Sequence, residues 1–561
     1  MCNRVPVWVA IACAPLAALD ISVPAGGDLQ NAFNIAVPGD RIILPAGAAF
    51  KGTFTLPYNG SAAGWITIQT ANLNALPPEG SRVTPQDAVN MPAILEDSPF
   101  FPAITATNGA NHYRFVGIEI KSIPGAYSLD LIRIGTSYET TVGALPHHFD
   151  FDRSYIHGDA DWGAKRGIAL NGLYISVRNS YLADFKSNWQ DTQALMGWNG
   201  PGPFLIQNNF LEAAGETVIF GGATSAIAGL VPSNIVIRGN YFFKPFSWYS
   251  QSPAYDGKAW VAKNHFELKN GSNVTVDGNI FQNCWPSDQR GFAVQLTVRT
   301  ESGTMPWAVV QDVTFTHNII QDAAGGINIL GLDDSSGVTG AAQRITIRDN
   351  IFNTTAPVLN GIERLFQVLN GAQNVVIDHN TGFPADYTMF LYYLPSTNLS
   401  YTNNLTSHSV NGIWGGGPSE GLGALREFAP GSVVAHNVLV GTKASAYPGN
   451  NFFPADLASV GFNGVMNGDY SLMSASPYHL AGSDGKDIGV DVTALKAATA
   501  TAISGQTASY VTPSAFDLPA PAVQQTCHQV GCPVPALDPS GSTPFENPRA
   551  KPRFRPLSRA Q

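Results

Sequence analysis

One motif recurs through the middle of this chain: an apolar residue, any residue, a second apolar residue, two residues, asparagine, and a further apolar residue. It reads FLIQNNF (204–210), IVIRGNY (235–241), VTVDGNI (274–280), VTFTHNI (313–319), ITIRDNI (345–351), VVIDHNT (375–381) and LSYTNNL (399–405). FDFDRSY (149–155) and YISVRNSYL (174–182) fit when Ser154 and Ser180 take the Asn place. The Asn positions 209, 240, 279, 318, 350, 380, 404 and 437 lie 24 to 39 residues apart. That spacing matches one solenoid turn plus variable loops, so the repeat has to be settled before any domain is counted.

Each motif reads as two short strands flanking a tight bend. Asn suits a bend because it tolerates left-handed backbone angles and bonds neighbouring main chain, and stacked repeats would bring the Asn side chains into an internal ladder. An immunoglobulin-type sandwich also has many short strands, but gives no reason for one Asn to recur at one place. At the start, GGDLQNAFNIAVPGDRIILPAG (26–47) predicts that Asp28 caps a short helix with Leu29, Ala32, Phe33 and Ala36 on one face, plugging the open end of the stack. The run SPYHLAGSDGKDIGVDVTAL (476–495) reads as a closing segment. With these repeats and ends, the chain resembles the right-handed parallel β-helix of the pectate-lyase superfamily over about residues 21 to 490. The expected fold class is therefore all-β, a right-handed parallel β-helix with an N-terminal capping helix.

Composition agrees with an all-β solenoid and narrows the partners. The 561 residues include 56 Gly and 39 Pro, only 13% are charged, and the net charge is -10. An acidic chain without a clustered basic excess is not expected to bind nucleic acid, though a few local cations can still hold an acidic polysaccharide. The opening MCNRVPVWVAIACAPLAALDIS has Arg4, an apolar stretch and small residues after it, the form of a signal peptide over residues 1–20. That predicts a secreted or cell-surface protein without a membrane span, Cys13 as a lipid anchor being the alternative. Residues 21–500 are expected to form the β-helix, as a monomer, and 501–561 a loose Pro-, Ser- and Ala-rich tail. Cys527 and Cys532 could pair there, whereas Cys284 stands alone in a core segment and no zinc spacing is present.

Upstream of each Asn motif runs another strand: GIALNG (167–172), DTQALMG (191–197), ETVIFGG (216–222), HFELKNG (265–271), FAVQLTVR (292–299) and INILG (327–331). Side chains alternate across a strand, so with Phe266 and Leu268 facing the core, His265, Glu267 and Lys269 face out. The same parity turns Glu216 outward, puts Gln295, Thr297 and Arg299 on one face, and lets Asp191 and Gln193 join them. One outer face then carries acids, amides, Lys and Arg on rungs about 5 Å apart. Such a face suits β-elimination of a uronic-acid polysaccharide, which needs a base and neutralisation of the sugar carboxylate.

FELKNGSNVTVDGNIFQN followed by GFAVQLTVR resembles the central segment of family 6 polysaccharide lyases, the alginate and chondroitin-type lyases of the β-helix class. The resemblance implies Lys269 as base and Arg299 as acid, and GETVIFGG (215–222) is similar to that family's acidic strand, implying Glu216 as a metal ligand. Asp191 and Glu267 complete a candidate Ca²⁺ set, Ca²⁺ taking oxygen ligands. Gln193, His265, Arg290, Gln295, Trp260 and Tyr255 are the expected substrate contacts. Two alternatives stay open: a glycoside hydrolase using Asp191, Glu216 and Glu267, and a non-catalytic carbohydrate-binding solenoid. The second is suggested by the aromatic stretches FFKPFSWYSQSPAYDGKAW (242–260) and WPSDQRG (285–291).

Overall fold

Every repeat adds one strand to each of three sheets, because the upstream strand and the two strands around the bend each stack on their counterparts one turn earlier. In this computed structural model the described residues are 18–506, apart from 61–63, 302, 336–338, 354–358, 360, 362 and 418–419. They belong to a compact unit spanning Met1–Gln524; a second unit, Gln525–Gln561, lies outside them, as do the signal-peptide reading, Cys13, Cys527, Cys532 and nearly all of the tail. The three sheets hold 14, 12 and 13 strands among the described residues, and within each sheet pairing follows chain order. All of these pairs are parallel, and the result is a right-handed parallel β-helix.

Register is held without slippage where the motif is strongest. Phe204 pairs with Ile235, Ile235 with Val274, Val274 with Val313, and Val313 with Ile345, all of them buried. A one-residue slip would turn this whole column out to water, so burial itself fixes the stacking.

The ladder forms at the bend. Asn240 N–H donates to Asn279 Oδ1 at 2.9 Å, Asn279 N–H to Asn318 Oδ1 at 2.9 Å, and Asn318 N–H to Asn350 Oδ1 at 2.8 Å. The series runs from Ser154 and Ser180 through Asn209 to Asn380, Asn404, Asn437 and Asn451. Each amide nitrogen also returns to main chain, as Asn279 Nδ2 does to Ile237 O at 3.0 Å. The expected conformational reason for Asn is corrected in one respect. The left-handed residue is the one before the ladder Asn, at Asn208, Gly239, Gly278, His317, Asp349, His379 and Asn403. The ladder Asn is selected for its amide, which closes hydrogen bonds that a buried bend would otherwise leave open.

Two of those preceding residues are glycines for a second reason. Helix α3 (Val492–Ser504) lies against this corner, and a Cβ on Gly239 or Gly278 would come within 2.2 Å of Thr501 Oγ1 or 2.4 Å of Ala498 O. The helix starts at Asp491, whose side chain accepts from Ala494 N–H, and at its far end Arg82 donates to the carbonyls of Thr501 and Ala502. The chain thus stays helical to Ser504, past the expected start of the tail. At the N-terminal end of the stack, α1 (Leu29–Ile35) is capped by Asp28 and buries Leu29, Ala32 and Phe33. A third short helix, α2 (Leu422–Phe428), buries Leu425 and Phe428 against the last turns.

Candidate active site

The floor of the site is the 12-stranded sheet, where Phe266–Leu268, Phe292–Thr297, Gly325–Leu330, Arg364–Leu369 and Tyr387–Tyr392 lie side by side. Phe266, Leu268, Val294, Leu296, Ile327, Ile329, Phe366 and Val368 point into the core. The alternate row therefore points out, and register aligns Glu267, Gln295, Asn328, Gln367 and Phe390 on successive rungs. The amides link rung to rung: Asn328 Nδ2 donates to Gln295 Oε1 at 2.6 Å and Gln367 Nε2 to Asn328 Oδ1 at 2.8 Å. Gln289 Oε1 accepts from both Gln295 and Asn264, and Asn264 Nδ2 also reaches Glu267 Oε2 at 2.8 Å.

A cleft of about 520 Å³ opens over this row, walled by the cations Lys269, Arg290, Arg299 and Arg364 against the carboxylates Glu267 and Asp334. Aromatic rings of Phe390, Tyr392 and Tyr393 close one side. Lys269 and Arg299 occupy adjacent rungs, the Arg299 N–H donating to Lys269 O at 3.0 Å. The Lys269 ammonium lies 3.6 Å from Glu267 Oε1, and Arg299 pairs with Asp334 at 2.8 Å, with Asp333 further off at 3.8 Å. The Arg364 guanidinium stacks 3.5 Å from the Phe390 ring centre. Burial pushes the Arg364 guanidinium down to about 10 against the pull of Tyr387, with the charge of Arg290 adding to the fall.

Beside the cleft is a residue that strand parity did not reveal. Lys263 Nζ sits 2.7 Å from Asp191 Oδ2, 3.3 Å from Glu216 Oε1 and 3.6 Å from Asp288 Oδ2. Burial pushes Glu216 upward, but Lys263 and then Lys269 outweigh it and hold this carboxylate below its usual range. Glu267 goes the other way, burial raising it against the pull of Lys269, with ionised Glu216 adding to the rise. Their surroundings thus pull the two carboxyls in opposite directions.

This geometry bears directly on Ca²⁺. Lys263 already holds Asp191 and Glu216, and Glu267 is engaged by Asn264 and Lys269. Among the described residues these three acids do not bring one donor atom each within 4.8 Å of one another. The expected ligand set therefore does not fit a metal as arranged.

Of the other expected residues, Arg290 and Gln295 line the cleft. Gln193 lies two rungs outside it, donating to Glu216 Oε2 at 3.0 Å. His265 is a correction: it is fully buried, its Nε2 2.9 Å from Gln282 O, among Phe242 and Phe281. It occupies the corner just before the strand, where alternation does not hold and its neighbour Ala293 also points inward. Trp260 is the second correction, packed with Trp248, Tyr249 and Trp285 in a satellite core instead of facing the cleft. Tyr255 is half-buried on the same loop and likewise does not line it. Phe390, Tyr392 and Tyr393, which do line it, stand in FLYYLP (390–395), whose run of rings was the available signal.

No family model and no curated protein matches the chain. Among solved structures it is similar to a mannuronic-acid-specific family 6 polysaccharide lyase from human gut microbiota, with 13% identity over 80% of this chain and 90% of that one and a TM-score of 0.44. It is also similar to a family 6 polysaccharide lyase from Pseudopedobacter saltans, with 14% identity over 78% and 92% and a TM-score of 0.43. A GH87 α-1,3-glucanase from Streptomyces thermodiastaticus shows 13% identity over 80% and 72%, with a TM-score of 0.41.

Proposed function

We propose that the protein is an extracellular lyase that cleaves a uronic-acid polysaccharide by β-elimination. The observation that carries this reading is the pairing of Lys269 and Arg299 on adjacent rungs of a cleft in which four cations face two carboxylates. Arg290 and Arg364 are placed to hold sugar carboxylates, which makes the proton beside a bound carboxylate easier to remove. Lys269, as the free amine, takes that proton; a double bond forms in the uronate ring as the bond to the glycosidic oxygen breaks. Arg299, which keeps its own charge, stabilises the departing oxygen. Glu267, with Oε1 3.6 Å from the Lys269 ammonium, positions that side chain over the cleft. Working outside the cell, as a single chain, belongs to the same proposal.

A hydrolase reading has one observation in its favour, the opposite displacement of Glu216 and Glu267, which resembles an acid and base pair. Glu216 does not line the cleft, however, which places it poorly for attack on a bound sugar. The test is a panel of polyuronates and glycosaminoglycans, each with and without chelator. New ultraviolet absorbance from an unsaturated uronate, undiminished by chelator, is expected. New reducing ends without absorbance would establish the hydrolase, and binding without either product would leave a carbohydrate-binding solenoid.

A further inference from the structure

On a different sheet, two rungs near the N-terminal end gather three histidines. His112 follows Asn111 on the strand Asn111–Val116, and His147 and His148 open the next strand, His147–Asp152, with His147 in register with Asn111. Backbone φ is +58° at His112 and +62° at His148. That left-handed kink interrupts alternation, so the consecutive side chains of His147 and His148 come together. Their Nδ1 atoms are 2.7 Å apart, and one ring nitrogen from each of His112, His147 and His148 lies within 4.8 Å of the others.

The same corner is occupied on later rungs by polar pairs that satisfy each other. Asn273 donates to Asn234, Arg344 pairs with Asp312, and Asn398 donates to Asn374, all with positive φ. Ring stacking accounts for part of the histidine group: His112 lies on His148 at 4.3 Å and His148 on Tyr174 at 4.5 Å. It does not account for His147, which stands off the column, edge-on to both neighbours at 87° and 80°, with its Nδ1 turned to His148. His112 is oriented from behind, its Nδ1 meeting Asn111 Oδ1 at 2.8 Å, which leaves Nε2 as the lone-pair nitrogen. A histidine held through one nitrogen by an amide oxygen and offering the other is the usual arrangement of a metal ligand.

We propose that His112, His147 and His148 form a binding site for a transition-metal ion of the zinc or copper type, separate from the cleft. Three imidazoles suit such ions, and small rotations of the rings bring the nitrogens to the ~2.0–2.1 Å bonds zinc forms. A fourth position is left for water. Bound there, the ion would fasten two successive turns of the helix to each other.

The test uses the untagged full chain, freed of metal with chelator. Zinc chloride is titrated by calorimetry, and copper chloride by tryptophan fluorescence, since Trp65 lies 5.5 Å from the His112 ring and 6.3 Å from that of His148. One equivalent is expected to bind and to raise the melting temperature. His148→Ala should weaken binding by about 10-fold or more. Should that variant fail to fold, His147→Gln leaves the stack of rings intact and should weaken binding to a similar degree, while His479→Ala, on a distant segment, should leave it unchanged. Absence of binding to the parent, or affinity unaltered in His147→Gln, would overturn the site.

Discussion

Two polar columns run along this β-helix, and they differ in how they end. In the Asn ladder each amide oxygen accepts from the preceding turn and each amide nitrogen returns to main chain, all of it buried, so the column is closed. In the row Gln295, Asn328 and Gln367 the same rung-to-rung linking occurs on the floor of an open cleft, but the row finishes against Lys269 and Arg364, whose charge is only partly matched. Repetition alone therefore yields structure. A site arises where the repeat is interrupted by cations that the column cannot satisfy, and a polyanion would complete what the protein leaves open.

The strongest way to break that contrast is Lys269→Ala. If Lys269 is the base, turnover on the polyuronate identified should fall by about 10²-fold or more while substrate still binds. Lys269→Arg should fare almost as badly, because a guanidinium does not release its proton. Stability should move by no more than about 0.5 kcal/mol, as for a partly exposed side chain. Full activity in Lys269→Ala would return the residue to the role of a surface partner for Glu267.

Next in size is Lys263→Ala. It leaves Glu216, 1% exposed, without its nearest cation, and breaking a buried pair costs about 3 kcal/mol in chemical denaturation. The sign with pH follows from Glu216 lying below its ordinary range: its contribution is present above about pH 4.3 and is lost as pH falls through the folded value. The parent should therefore lose stability on acidification below that point, and Lys263→Ala less so. Added Ca²⁺ should raise the melting temperature of the variant, whose Asp191 and Glu216 are freed, and not that of the parent. A Ca²⁺ response in the parent would show that the lysine does not occupy the metal's place.

The comparison itself is sharpened by making one change in each column. Asn279→Ala strips partners from Asn240 and from Ile237 O in a buried corner and should cost about 2 kcal/mol, orphaned groups being costly there. Asn328→Ala, at the floor of an open cleft where water can replace the amide, should cost less than about 1 kcal/mol. Equal costs would mean the two columns are the same kind of object.

The ladder and the stacking were legible in the sequence because both repeat at a fixed place in each turn. Gln295 could be set on the outward face because its strand is regular, and Lys269 and Arg299, just past the ends of their strands, still reach the same cleft. What parity could not see lies at corners and in loops. His265 sits one residue ahead of its strand and turns inward; Trp260 packs under its own loop; and Lys263, two residues before His265, reaches Asp191 across 72 positions of chain. The partners of such residues are decided by how loops fold back across neighbouring turns, and no local pattern encodes that. Arg364 and Tyr392 were missed for a related reason, as they lie on rungs beyond the segment that carried the lysine and arginine.

The smallest effects concern the aromatic wall. The sequence pointed to the 242–260 loop, and the structure puts Tyr392 and Tyr393 at the cleft instead, exposed by 37% and 55%. A sugar ring stacked on Tyr392 would lose part of its hold in Tyr392→Ala, so KM should rise about 5-fold with kcat little changed, the sign of an interaction made equally in ground and transition states. Tyr255→Ala should alter neither KM nor kcat and should shift stability by no more than about 0.5 kcal/mol, as expected away from any such contact. If instead Tyr255→Ala raises KM and Tyr392→Ala does not, the polysaccharide runs over the 242–260 loop, and the cationic row would have to be read as a flank of the path instead of its floor.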